Sequence, residues 1–79
     1  MLVIIYGKPN CQYCEKAKML CQIKSVDFQY LAAGRDYNIE ELSTQVGHEV
    51  RTVPQIFIEK DEERKYIGGY EDLRAVLTV

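Results

Sequence analysis

Residues Leu2 to Tyr6 form a continuous apolar run that closes on Gly7. A run without polar alternation predicts a strand covered on both faces, as at the centre of an α/β sheet. Pro9 and Asn10 break it, and from Gln12 to about Lys24 the pattern becomes helical. Ala17, Leu20 and Cys21 share one helix face, whereas Glu15, Lys16 and Lys18 lie largely on others. Asp27 to Leu31 alternates around Phe28 and Tyr30 and predicts a second strand. Two strands joined by a helix make a βαβ unit, expected to be parallel and right-handed.

Gly34-Arg35-Asp36 predicts a loop, and Asn38 with Glu41 three residues later resembles a capping box. The short helix that follows runs through Ile39, Leu42 and Val46 and stops at Gly47, a left-handed cap. Val53 to Glu59 predicts a third strand begun by Pro54, Lys60-Asp61-Glu62-Glu63 a polar turn, and Arg64 to Ile67 a returning hairpin strand. After Gly68-Gly69 a last helix spans Tyr70 to Leu77, with Leu73, Val76 and Leu77 inward. The order is β-α-β-α-β-β-α. With no repeat, linker or low-complexity tract in 79 residues, a single domain over residues 1–79 is expected.

Composition narrows the function. A chain that is 47% hydrophobic is globular rather than disordered. Ten basic against twelve acidic residues argue against a general attraction to nucleic acid or to an anionic membrane. The N-terminal apolar run is too short to span a bilayer and carries no basic leader, so the cytoplasm is the expected compartment. Three cysteines do not make a secreted disulfide scaffold. In a reducing compartment they point to chemistry instead.

Cys11-Gln12-Tyr13-Cys14 stands where a strand has ended and a helix begins. Unpaired N–H groups of the first turn and the positive end of the helix dipole both favour thiolate over thiol at Cys11. Lys8 and Lys16 add positive potential. Cys11 is therefore the expected nucleophile. Cys14 lies nearly one turn later, close enough to form a disulfide and displace a product from Cys11. A zinc site would need further ligands, and Cys21 stands roughly 15 Å up the same helix, too far to share a metal with Cys11. No metal site is expected. Cys21 reads as a buried core residue and His48 as a surface one.

Three segments in order carry a wider resemblance: Lys8-Pro9-Asn10-Cys11-Gln12-Tyr13-Cys14, then Arg51-Thr52-Val53-Pro54, then Gly68-Gly69-Tyr70-Glu71-Asp72-Leu73. From Val3 to about Leu77 the chain resembles the short dithiol glutaredoxins of bacteria and their phages. The resemblance implies a thioredoxin fold, with a four-stranded mixed sheet flanked by three helices. It also implies a cis bond before Pro54, where the residues alone leave cis and trans equally open. Glutathione is the implied reducing co-substrate. By position, Lys8 would meet its glycyl carboxylate, Tyr13 would flank its cysteinyl part, and Thr52, Val53 and Pro54 would hold its backbone. Gly69, Tyr70, Glu71 and Asp72 would receive the γ-glutamyl end at a helix N-terminus. Read alone, Asp72 is a helix-start charge and Gly68-Gly69 a turn.

The departures matter too. Gln12 stands where many relatives carry proline, and Glu71 puts a negative charge beside the expected γ-glutamyl carboxylate. The helix after Asn38 offers no clear partner for the glycyl carboxylate, a role Arg51 would take. Three functions compete. The first is a monomeric, glutathione-dependent reductase of protein disulfides, ribonucleotide reductase being one candidate client. The second is a redoxin reduced by thioredoxin reductase. The third is an iron–sulfur carrier using Cys11 of two subunits, which Gln12 disfavours because carriers of the family usually have glycine there.

Overall fold

Alternation along one strand organises the molecule. On β1 (Leu2–Gly7), Val3 and Ile5 bury on one face of the sheet, Ile4 and Tyr6 on the other. The computed structural model describes residues 1–78. It continues through α1 (Gln12–Ile23), β2 (Asp27–Ala32), α2 (Ile39–Val46), β3 (Gln55–Lys60), β4 (Glu63–Gly68) and α3 (Tyr70–Leu77). The strands lie in the order β2-β1-β3-β4. β1 pairs parallel with β2, and β3 runs antiparallel to both β1 and β4. This is the mixed four-stranded sheet that the resemblance implies.

Each face has its own core. Val3, Ile5 and Ile56 meet Ala17 and Cys21 of α1 and Leu73 of α3. On the opposite face Ile4, Tyr6 and Phe57 pack with Tyr37, Leu42 and Val50. Burying side chains of this size is worth roughly 1.5–3 kcal/mol each before the entropy of ordering the chain is subtracted. The caps follow expectation at α2. Asn38 Oδ1 accepts from the Glu41 N–H at 2.8 Å, and Gly47 ends the helix at φ 91°.

Three local expectations need correcting. β3 begins at Gln55, not Val53, because Pro54 has no N–H to give a ladder; the Val53-Pro54 peptide is cis. Glu63 belongs to β4, so the hairpin turn is only Asp61-Glu62, both with positive φ as a two-residue hairpin requires. Val76 does not point inward and is 43% exposed. Tyr70, Leu73 and Leu77 already form the buried stripe of α3, leaving Val76 on its flank beside Ile58 and Ile67.

Candidate active site

Cys11 is the N-cap of α1, with extended backbone (φ −111°, ψ 110°). Its carbonyl accepts the first helical bond, from the Glu15 N–H at 3.1 Å. Its sulfur takes the place of the usual capping oxygen and accepts from the Cys14 N–H at 3.3 Å. Cys11 and Cys14 are joined as a disulfide, their Cα atoms 5.2 Å apart, within the ordinary range for such a bridge. The pair is asymmetric: Cys14 has no exposed surface, whereas Cys11 keeps 8%. The free thiol of Cys21 is buried on the same helix face, and burial pushes its pKa up.

Two tyrosine hydroxyls hold the segment leading into the pair. Tyr37 donates to the Gly7 carbonyl at 2.8 Å, and Tyr30 to the Lys8 carbonyl at 3.1 Å. Gly7 has to be glycine here, since a Cβ would lie 2.6 Å from the Tyr30 hydroxyl and 2.9 Å from the Cys14 sulfur. Tyr37 ionisation is pushed up to about 12, first by burial and then by the neighbouring phenols of Tyr30 and Tyr6. An unfolded tyrosine ionises near 10, so the unfolded chain loses this proton first and stability falls as pH rises from about 10 towards 12. Tyr37→Phe is expected to flatten that fall in urea midpoints taken across this range. At neutral pH it should cost about 1 kcal/mol for the lost hydrogen bond. An unchanged alkaline slope would assign the fall to other groups.

Val53 faces the pair from the other side, its carbonyl oxygen 3.7 Å from the Cys11 sulfur. Gln55, buried among apolar β3 residues, steadies this turn. Its Nε2 donates to the Thr52 carbonyl at 2.8 Å, and its Oε1 accepts from the Tyr66 hydroxyl. Two grooves meet at Thr52 and Val53. One, of about 290 Å³, also takes in Lys8, Arg51 and Ile39. The other, of about 370 Å³, is walled by Tyr13, Pro54 and the start of α3 from Gly69 to Asp72. Arg51 pairs with Glu49 at 3.3 Å, both exposed. Asp72 Oδ2 accepts from the Gly69 N–H at 2.9 Å, so this carboxylate caps its own helix. A Cβ on Gly68, where φ is 116°, would collide with it.

The residues that the resemblance assigns to catalysis and to glutathione therefore all lie in the cysteine pair or in one of these two grooves, whereas Lys16, named for its positive charge, lines neither. Among the described residues, no group of three or more His, Cys, Asp and Glu side chains is arranged to hold a metal ion. Among the same residues, no helix is long and apolar enough to cross a membrane. Sequence reasoning missed Tyr30, Tyr37 and Gln55. Only Gln55 left a trace, as a lone polar residue between Pro54 and an apolar strand.

Known proteins resemble this chain in sequence and in fold. The glutaredoxin family model matches residues 3–63. A glutaredoxin of Haemophilus influenzae is 39% identical over 83 aligned positions, spanning 98% of this chain and 91% of its own. Glutaredoxin 3 of Escherichia coli is 43% identical over 75, spanning 94% and 83%. The solved structure of reduced E. coli glutaredoxin superposes with a TM-score of 0.81 at 34% identity, covering 99% of this chain and 94% of its own. Likeness of this extent, in both sequence and sheet, establishes that the chain belongs to the glutaredoxin family and is a thiol–disulfide oxidoreductase with the thioredoxin fold.

Proposed function

We propose that the protein is a glutathione-dependent reductase of protein disulfides and glutathione mixed disulfides, working through a Cys11–Cys14 dithiol/disulfide couple. The observation that carries this reading is the asymmetry of the pair. Cys11 is the member of the pair that keeps some exposed surface, and its sulfur lies 3.7 Å from the carbonyl of Val53, a residue that lines both grooves. The Cys11 thiolate attacks a substrate disulfide, forms a mixed disulfide and releases one thiolate. Cys14 then attacks the Cys11 sulfur and releases the second, so two electrons leave the protein as its own disulfide forms. Two glutathione molecules reverse this, the first attacking Cys11 and the second removing the first as glutathione disulfide.

Glutathione fits the grooves as an extended peptide paired with the backbone of Thr52 and Val53 beside Pro54. Its glycyl carboxylate would meet Lys8 and Arg51, its cysteinyl part Tyr13, and its γ-glutamyl end the helix start at Gly69, Tyr70, Glu71 and Asp72. In this reading the protein acts as a monomer in the cytoplasm without a metal, and ribonucleotide reductase is one candidate client. The test compares one disulfide substrate under two NADPH-driven reductants, glutathione with glutathione reductase and thioredoxin reductase alone. Faster turnover with glutathione is expected, and none with glutathione overturns the reading.

Glu71 favours a second reading, reduction by thioredoxin reductase, because its carboxylate lies in the γ-glutamyl groove. Arg74 offsets part of that charge at 3.4 Å. Glu71→Gln is expected to lower KM for glutathione about two- to fivefold at low salt, the range of one exposed charge interaction, and less at high salt. An unchanged KM would remove the electrostatic case for the second reading.

A further inference from the structure

α1 carries more apolar surface than the core uses. Cys14, Ala17 and Cys21 form its buried face, yet Tyr13, Met19 and Ile23 remain 52%, 58% and 71% exposed. Met19, Leu20 and Ile23, with Lys16 and Tyr70, line a groove of about 200 Å³. Tyr70 also walls the cleft at Val53 and Pro54, and its ring centre lies 5.9 Å from that of Tyr13. The groove thus continues the active-site cleft down the helix. Lys16 is its one charged side chain. The ammonium lies 4.9 Å from the Tyr13 ring centre and, among the described residues, pairs with no carboxylate.

The geometry points to this groove as a docking subsite for the polypeptide flanking the reacting cysteine of a protein client. An apolar side chain of the client sits on Met19, Leu20 and Ile23, and an acidic one faces Lys16. The inference rests on Cys11 being the atom that the client's sulfur joins. From Tyr13 to Ile23 the helix rises about 15 Å, the length of four or five residues of extended chain at roughly 3.3 Å each. A tripeptide held at Lys8 and Gly69 does not extend there, so the subsite separates protein clients from small disulfides. A second copy is the poorer occupant, because pairing two such stripes would cover Tyr13 and the mouth of the cleft at Cys11.

The test uses the double variant Met19→Glu, Ile23→Glu, both at exposed positions. Pre-reduced protein is mixed in single turnovers with two disulfide-bridged synthetic peptides. They differ only in carrying Leu and Asp, or Gly and Ser, a few residues from the attacked cysteine. The unaltered protein is expected to reduce the Leu/Asp peptide about tenfold faster, the lower range of what burying one Leu side chain supplies. The double variant should treat the peptides alike while reducing 2-hydroxyethyl disulfide at its original rate. No preference in the unaltered protein, or a preference that survives in the variant, overturns the subsite. Failure of the unaltered protein on all three substrates, or retained activity in Cys11→Ser, overturns instead the reading of Cys11. Sedimentation supplies the remaining outcome: a dimer dissolved by the two glutamates would assign the stripe to a second copy and overturn the proposal.

Discussion

Cys11→Ser is expected to lower disulfide reduction by at least about 10³-fold, the scale on which removal of an attacking group acts. A hydroxyl stays protonated where a thiol at this position ionises, so no nucleophile remains at the mouth of the cleft. Unfolding would not explain the loss. The Cys11 sulfur serves as the N-cap of α1, and serine is among the best residues for that role. Cys14→Ser should behave differently. Attack by Cys11 survives, the internal resolving step does not, and the mixed disulfide persists until an outside thiol removes it. Steady-state turnover read beside the intact mass of the trapped adduct separates the two variants. Full turnover in Cys11→Ser would transfer the attack to Cys14, against its complete burial.

The largest stability effect is expected at Leu42. It is the only buried residue of α2, and it closes the core over Ile4, Tyr6 and Phe57. Leu42→Ala removes that contact and leaves a cavity, at a cost of about 2–5 kcal/mol. In a chain of 79 residues the melting temperature should fall by roughly 10 °C or more. Urea melts followed by far-ultraviolet circular dichroism provide the measurement. A loss below about 1 kcal/mol would mean that α2 collapses onto the gap and that Val46 and Val50 hold it without Leu42. The cysteine pair lies on another helix, so the variant should keep its turnover wherever it remains folded.

Much of this was legible from spacing. Two-faced burial of Leu2 to Tyr6, the Asn38 cap and the Gly47 stop are local patterns, and local patterns survive folding. The position of Cys11 at a helix start was equally readable, because Pro9 and Asn10 end the strand just before it. What escaped depended on distant partners. Whether Pro54 opens a strand or precedes it is decided by the ladder with β1, whose last pair is Gln55 with Tyr6. Val76 fits the helical stripe in sequence, and only the end of the sheet leaves it outside. The Tyr30 and Tyr37 hydroxyls reach carbonyls 22 and 30 residues away, a contact that no sequence window contains. Met19 and Ile23 are the opposite case. Helical spacing shows that they lie off the buried face, yet only the neighbouring Tyr70 shows that they continue a cleft.

The order β2-β1-β3-β4 leaves two strands with one unpaired side each. Such edges invite other chains to add on, most of all when they are long and apolar. Here the exposed positions of β2 include Asp27 and Gln29, and β4 begins Glu63-Arg64-Lys65, all exposed. Downstream of them Tyr66 and Ile67 lead into Gly68 with the β-rich character of an aggregation-prone segment. Glu63 and Lys65 share one face of β4 and stay charged and exposed, whereas Arg64 lies over the Phe57 and Tyr6 rings on the other. Any unsatisfied strand that approaches β4 in a crowded solution must draw water from that charged pair as it gains hydrogen bonds, which disfavours growth from this edge at its first step.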